Sequence, residues 1–265
     1  MKNYFILMAA ATLMVFSSCQ QKEKQSTDQN DVVGVYEYTG NLEGMSIFTE
    51  KYFVAAAKVK NESSTVDSTN LYKNLYNSLV MEGGTWTKED SIVTCTYLFA
   101  KNPSLVGKSF RFTYTSDGDS LNYYVLNDNN ERIGGGTNRK LTPSNTQNDL
   151  NNLVARYINQ REGMAVHLDG YFVYAWRNKH EPLPVGTEDY YEKEYKSLVM
   201  EAGKYTMQDS IVSNYLLFLK GGKLPSRNEP SFRWTYSFKG DSIAVYILNK
   251  EGEASGKPMY SILLK

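Results

Sequence analysis

The chain contains the same structural unit twice. The pentapeptide SLVME begins at Ser78 and recurs unchanged at Ser197, 119 residues later. A three-residue insertion then widens the separation to 122, at which SFRFTY from Ser109 matches SFRWTY from Ser231. Because these matches occur in the same order in both halves, one fold must be able to accommodate each half of the chain. The fold is therefore predicted for the unit and then applied twice.

Each unit is predicted to consist mainly of short antiparallel strands. The chain has 21 Tyr, 11 Phe and 3 Trp, and aromatic residues favour strands. Pairs such as Asp117-Gly118, Asp169-Gly170 and Lys239-Gly240 suit tight hairpins between them. In the first copy the predicted strands are Val33 to Thr39, Met45 to Phe48, Tyr52 to Val59, Gly84 to Thr87, Ser91 to Ala100, Ser109 to Thr115, Ser120 to Asn127 and Ile133 to Leu141. This pattern predicts an all-β fold of the sandwich or barrel type.

One helix per unit interrupts the strands. In the second copy, Tyr191 and Tyr195 begin an apolar stripe at helical spacing that continues to Leu198 and Val199. Thr187 is predicted to cap the start of this helix and Gly203 its end. The same stripe in the first copy consists of Tyr72, Tyr76, Leu79 and Val80, with Ser68 as the cap. We expect each stripe to pack over the sheet or across an open barrel end.

The N-terminus is predicted to be a targeting segment, residues 1–18. Its apolar run from Tyr4 to Phe16 is shorter than the roughly 20 residues that cross a bilayer and suits a signal-peptide core. The sequence Phe16-Ser17-Ser18-Cys19 resembles the bacterial lipobox, which implies acylation of Cys19 and anchoring to a membrane. Under the alternative, this is an ordinary secretory signal followed by an incidental cysteine. Residues 19–31 are polar and are predicted to be a flexible tether.

Short motifs in the first unit indicate which known fold the unit resembles. Gly34-Val35-Tyr36 opens the first strand, Arg139 lies in the last, and Gly83-Gly84-Thr85-Trp86 lies between them. This arrangement resembles the lipocalin-like domains of bacterial secreted and lipid-anchored proteins. The resemblance implies two tandem antiparallel β-barrels, residues 32–142 and 153–265, joined by a linker, residues 143–152. It also implies an aromatic–cation pair between Tyr36 and Arg139, which the second unit lacks, and a small apolar ligand inside a barrel.

Charge and composition exclude several function classes. The 29 Lys and Arg balance 29 Asp and Glu, which argues against a nucleic-acid partner. Two His and two Cys leave a metal site short of ligands, and no HExxH, CxxC or GxSxG motif occurs. His167 occupies the position of Phe48 in the first unit, so we interpret it as a partly buried structural histidine. The sequence therefore predicts no enzyme activity, metal or cofactor.

Six side chains are candidates for ligand binding. Arg111 and Arg233 occupy equivalent mid-strand positions between aromatic residues, and an inward-pointing arginine would hold the carboxylate of a fatty-acid-like ligand. The alternative places both arginines on the outer face, in solvent or beside a carboxylate. The aromatic candidates, each of which can belong to the core or to a ligand wall, are Tyr52, Tyr171, Trp176 and Trp234.

Two functions from different classes follow. The first is an outer-membrane lipoprotein of the bacterial cell envelope that binds a small hydrophobic or amphipathic molecule without catalysis. The second is a structural or interaction lipoprotein whose barrels are filled and whose outer faces bind a protein or glycan. A continuous apolar cavity distinguishes the first from the second. The sequence leaves the oligomeric state open.

Overall fold

The computed structural model of the chain describes residues 29–60, 70–144, 148–181, 183–221, 223–226 and 228–265. The predicted signal segment, Cys19, most of the tether and Ser68 lie outside the described residues. The last tether residues belong to a short 3-10 helix, Gln29–Val32. In the predicted linker, Leu150 is fully buried in the core of the second unit. Both units thus begin a few residues before their first strand.

The first unit is a closed barrel of eight antiparallel strands, each paired with the next and the last with the first. These strands are β1 (Gly34–Tyr38), β2 (Leu42–Phe48), β3 (Tyr52–Val59), β4 (Leu79–Glu89), β5 (Ile92–Ala100), β6 (Ser109–Ser116), β7 (Ser120–Leu126) and β8 (Arg132–Lys140).

The second unit repeats this architecture. Its strands are β9 (Leu153–Tyr157), β10 (Arg161–Leu168), β11 (Tyr171–Asn178), β12 (Leu198–Gln208), β13 (Ile211–Leu219), β14 (Phe232–Lys239), β15 (Ser242–Leu248) and β16 (Met259–Leu263). Asp169 and Gly170, which connect β10 to β11, both have positive φ, as the predicted tight hairpin requires. Two tandem antiparallel barrels with one helix each are therefore confirmed.

The two helices, α1 (Leu71–Asn77) and α2 (Glu188–Ser197), are shorter than predicted. The Thr187 hydroxyl accepts a hydrogen bond from the Tyr190 amide, so the predicted cap of α2 is confirmed. The predicted end at Gly203 is wrong, because Leu198 already pairs with β11 and Gly203 lies inside β12. Among the described residues, no helix has the length and apolar character needed to cross a bilayer.

A lysine satisfies the end of each helix in the same way. Lys101 Nζ donates to the carbonyl oxygen of Tyr76 at 2.8 Å, and Lys220 Nζ donates to that of Tyr195 at 2.5 Å. Each ammonium also lies over the ring of the same tyrosine, 4.9 and 4.5 Å from its centroid. Burial lowers the pKa of both lysines from 10.5 to about 8. These contacts supply partners for helix C-terminal carbonyls that would otherwise have none.

The two barrels share one apolar core between them. The strands at its centre are β2, β3 and β4 of the first barrel and β10, β11 and β12 of the second. The first barrel contributes Val35, Met45, Ile47, Val54, Ala56, Leu79, Met81 and Phe99, and the second contributes Val154, Met164, Val166, Val173, Ala175, Leu198, Met200 and Phe218. Every residue of the first set is 119 positions from its counterpart in the second. The interface is therefore of the self-complementary kind seen between identical subunits.

The helices extend this interface, since α1 packs on α2 rather than across a barrel end. The Tyr72 and Tyr195 rings lie 6.0 Å apart, and the Tyr76 and Tyr191 rings 5.7 Å apart. The predicted stripes thus do face a partner, but that partner is the other helix. The remaining stripe residues, such as Leu79 and Leu198, extend into the shared core as strand residues.

Aromatic rings fill much of the first barrel. Phe110 lies 5.3 Å from Tyr97 and 6.1 Å from Phe112 between ring centroids, and further rings continue the cluster. Tyr36 is buried at the base of this cluster, where its hydroxyl donates to the Val32 carbonyl oxygen at 2.9 Å. The cation over the Tyr36 ring is Lys140, at 5.8 Å. The pair implied by the family resemblance is therefore wrong.

Arg139 does not reach Tyr36, because it lies on the outside of the barrel and forms an ion pair with Glu37. Successive residues of a strand point to opposite faces, so the neighbouring Lys140 takes the position that the resemblance assigned to Arg139.

If the shared core holds the barrels together, shortening one of its central side chains will destabilise the whole protein. Met200→Ala and its counterpart Met81→Ala should each lower the free energy of unfolding by about 2–5 kcal/mol, the usual cost of such a buried cavity. Urea unfolding measures this change. Ile133→Ala is the control, because Ile133 is 65% exposed and should change stability by less than about 0.5 kcal/mol. Equal effects at all three positions would contradict the shared core.

Candidate functional site

The interior of the second barrel contains a cavity of about 320 Å³. Its walls come from seven strands of the barrel and are mainly apolar and aromatic. The lining residues are Leu153, Ala155, Tyr157, Ala165, His167, Tyr174, Trp176, Val199, Glu201, Phe232, Trp234, Ile243, Val245, Ile247, Met259 and Ser261.

The cavity exists because the two interiors have different side chains. Three rings that point into the first barrel, Tyr36, Tyr97 and Tyr123, are replaced in the second. Their counterparts are Ala155, Leu216 and Val245. Two rings are gained on β11, where Tyr174 and Trp176 occupy the positions of Ala55 and Ala57. The aromatic bulk is thus smaller and moved to one side, which leaves space beside it.

A chain of hydrogen bonds crosses the floor of the cavity. Trp234 Nε1 donates to Asn214 Oδ1 at 3.1 Å, and Asn214 Nδ2 donates to the Tyr174 hydroxyl at 3.1 Å. The Tyr174 hydroxyl lies 2.9 Å from His167 Nε2. Tyr174 already accepts from Asn214, and no other acceptor for its proton is described, so it donates to His167. His167 then carries its own proton on Nδ1.

His167 Nδ1 has no hydrogen-bond partner among the described residues, although the side chain is only 2% exposed. Burial lowers the pKa of His167 to about 3, so the imidazole is neutral over the physiological range. The histidine is thus more completely buried than the sequence analysis predicts. Its free N–H makes it more than a packing residue, because an unsatisfied buried donor costs about 1–3 kcal/mol.

Glu201 is the acidic residue of the cavity wall. It lies on the inner face of β12, and burial raises the pKa of its carboxyl above 4.5. Its counterpart in the first barrel, Glu82, is bonded to the Tyr97 hydroxyl and has a pKa raised to about 7 by burial. Leu216 replaces Tyr97 in the second barrel, so Glu201 lacks that hydrogen-bond donor.

Aromatic residues surround one end of the cavity. Tyr157, the last residue of β9, lies 5.4 Å from Trp176 between ring centroids. The Arg161 guanidinium lies over the outer part of this pair, 4.7 Å from the Trp176 ring. Burial raises the pKa of Tyr157 well above 10, so its hydroxyl stays protonated. This end combines apolar faces with a hydroxyl and a cation at the rim.

The predicted arginine anchors do not reach the cavity. Arg233 lies on the opposite face of β14 from Phe232 and Trp234, and its Nη2 donates to the Lys250 carbonyl oxygen at 2.7 Å. Arg111 Nη2 donates to the Asn127 carbonyl oxygen at 2.7 Å. Each arginine thus holds the loop that follows the next strand. Both arginines therefore point away from the barrel interior, as the outer-face alternative predicts, but their hydrogen-bond partners are backbone carbonyls and not carboxylates.

The aromatic candidates divide into two groups. Trp176 and Trp234 line the cavity, in agreement with a ligand wall. Tyr52 and Tyr171 instead pack in the shared core between the barrels, which is the core alternative of the sequence analysis. Their hydroxyls donate to carbonyl oxygens of the chain, that of Tyr52 to Lys265 at 3.1 Å and that of Tyr171 to Thr142 at 3.2 Å.

Sequence reasoning missed Glu201, Tyr157 and Tyr174. The available signal was the comparison of the two copies at inward-facing positions, where Tyr97 becomes Leu216 and Ala55 becomes Tyr174. That comparison can be made only when it is known which face of each strand points into the barrel.

Comparisons with known proteins add little. No protein-family model matches the chain, and no curated protein matches it. A solved structure, the dehydratase domain of MlnD from Bacillus amyloliquefaciens, is 9% identical over 86% of this chain and 94% of that one, with a TM-score of 0.13. Within the described ranges, no three His, Cys, Asp or Glu side chains are grouped to hold a metal ion.

Protonation of His167 should couple stability to acidity. The unfolded chain binds this proton near pH 6.5 and the folded chain near pH 3, so the free energy of unfolding falls as the pH drops through that window. His167→Phe, which introduces the residue found at Phe48, should lose less stability than the wild type between pH 7 and 4. Urea unfolding at both pH values measures this difference. An acid loss in His167→Phe equal to that of the wild type would contradict the prediction.

Proposed function

We propose that the second barrel binds one small hydrophobic or amphipathic molecule in its interior. The supporting observation is the cavity of about 320 Å³. Ligand cavities commonly range from about 300 to 1,000 Å³ and combine apolar walls with a few polar groups. The wall of the second barrel has this composition, with His167, Glu201 and Ser261 among apolar and aromatic residues. The size fits a compact ligand rather than an extended acyl chain.

Binding without catalysis accounts best for the polar groups. General base catalysis by His167 would need a free, basic ring nitrogen next to a nucleophile. Its Nε2 is bonded to Tyr174, and burial lowers its pKa to about 3. The side chain is therefore a weak base that is suited to hold a ligand by hydrogen bonding.

The first barrel acts as the scaffold in this proposal. Its interior is occupied by contacting rings, and its surface supplies half of the shared core. The second candidate function also requires a ring-filled interior, because in that function the protein binds another protein or a glycan on its outer surface. That candidate applies to the first barrel, whereas the cavity favours ligand binding by the second.

The proposed location is the bacterial cell envelope, with a lipid anchor at Cys19. Its support is the sequence alone: the apolar segment that ends at Ser18 and the small residues before Cys19. The tether would then hold both barrels close to the membrane surface.

Filling the cavity should abolish binding. Ala155→Phe places a ring where the first barrel holds Tyr36, which is 1% exposed in its own core. We expect the wild type to enhance the fluorescence of the neutral probe N-phenyl-1-naphthylamine with one site per chain, and the variant to lose at least about 90% of this enhancement, because the ring and the probe compete for one volume.

Tyr36→Phe is the matched control, since it changes a ring in the other barrel. It should bind the probe as the wild type does, and both variants should keep the wild-type circular dichroism. Binding that survives Ala155→Phe, or that is lost in Tyr36→Phe, would contradict a site in the second barrel.

Lipid attachment at Cys19 is tested by metabolic labelling. The wild type expressed in a bacterium should incorporate radiolabelled palmitate and fractionate with membranes, and Cys19→Ser should do neither, because the acceptor thiol is gone. Cys95→Ser is the control, because Cys95 is fully buried in the first barrel and cannot be acylated in the folded protein. Unchanged labelling of Cys19→Ser would contradict the anchor.

A further inference from the structure

The cavity wall has one acidic side chain, Glu201. Among the lining residues, Glu201 is the single carboxylate, and no lysine or arginine accompanies it. Among the described ion pairs, none includes Glu201. A carboxylate that faces an apolar space without a cation is unfavourable, which is why desolvation raises the pKa of Glu201, and a cationic ligand would favour its ionised form.

We propose that the ligand of the second barrel is a compact amine whose ammonium group pairs with Glu201 and whose apolar body lies against the aromatic wall. This inference rests on the proposed binding function and adds the charge of the ligand. It differs from the inward alternative of the sequence analysis, in which Arg111 and Arg233 would hold a ligand carboxylate.

The surrounding rings support a cation. Tyr157, Tyr174, Trp176, Phe232 and Trp234 line the same cavity as Glu201. Aromatic faces attract ammonium groups, by about 2 kcal/mol where water is excluded. Trp176 already attracts one cation, since the Arg161 guanidinium lies 4.7 Å from its ring at the rim.

The other polar group of the cavity does not oppose a positive ligand. His167 is neutral, because burial lowers its pKa to about 3. Its unpartnered Nδ1–H can donate to an oxygen or π-face of the ligand at the deep end. A ligand carboxylate would instead meet Glu201 as a like charge inside the cavity, with Arg161 available only at the rim.

The first barrel provides an internal comparison. Glu82 occupies the position of Glu201, but the Tyr97 hydroxyl donates to it and the Lys101 charge favours its ionised form. The carboxylate of the first barrel is thus satisfied by its own chain. In the second barrel Tyr97 is replaced by Leu216, and desolvation alone shifts the pKa of Glu201.

The test uses three probes of one shape and different charge: naphthylmethylamine, naphthylmethanol and naphthoic acid. Isothermal titration calorimetry at pH 7.5 measures the affinity of each for the wild type, Glu201→Gln and the control Glu82→Gln. The amine should bind the wild type most tightly and the acid most weakly. Glu201→Gln should weaken amine binding by about 10- to 100-fold, the range for a charged hydrogen bond, and leave alcohol binding within about twofold.

The outcomes separate the two proposals. Equal affinity of the amine and the alcohol, or amine binding that is unchanged in Glu201→Gln, would overturn the amine inference and leave a neutral-ligand site. Tightest binding of the acid would overturn it in favour of an anionic ligand at Arg161. Failure of all three probes, together with failure of N-phenyl-1-naphthylamine, would overturn the binding function itself. Glu82→Gln should match the wild type, and a loss there would place the site in the first barrel.

Discussion

The apolar contact between the barrels requires strands β2 to β4 and β10 to β12 to be buried on both faces. In β3, Phe53 points into the first barrel while Val54 and Ala56 point into the shared core. A strand in the wall of an isolated barrel would have polar residues at such outward positions. The near-continuous apolar runs of β3 and β11 therefore reflect their burial on both faces.

This constraint explains which parts of the duplicated unit are alike. The paired residues of the shared core are identical in the two copies, as at Met45 and Met164 and at Val54 and Val173, except that Ile47 corresponds to Val166. The constraint of the shared core does not apply to the barrel interiors, because the interior of each barrel can be filled or hollow without changing the outer face that contacts the other barrel. The second interior could therefore lose the ring of Tyr36, as Ala155, while the interface stayed intact.

Much of the fold could be predicted from the sequence, because strand alternation, hairpin residues and repetition are local signals. The helix ends could not, since Leu198 and Val199 suit both a helical stripe and a strand of alternating burial. In the structure, Leu198 and Val199 adopt the strand conformation because they pair with β11, which is a contact between residues distant in the sequence. Tyr52 and Tyr171 were left open between core and ligand wall for a related reason, because an apolar strand face has the same sequence pattern whether it points into its own barrel or toward a second one.

Less of the candidate site could be predicted from the sequence, because the site is distinguished by polar side chains that lack hydrogen-bond or ion-pair partners, and the sequence does not show such absences. Lys101 and Lys220 are partly buried charges at equivalent positions of the two units, and each donates to carbonyl oxygens at the end of its helix, so they belong to the fold. His167 and Glu201 differ from them. The first replaces a phenylalanine, and the second has lost the tyrosine that satisfies its counterpart. Polar groups that both copies satisfy stabilise the shared architecture, whereas the unpartnered Nδ1 of His167 and the Glu201 carboxyl group beside an empty volume are the observations on which the proposed ligand site rests.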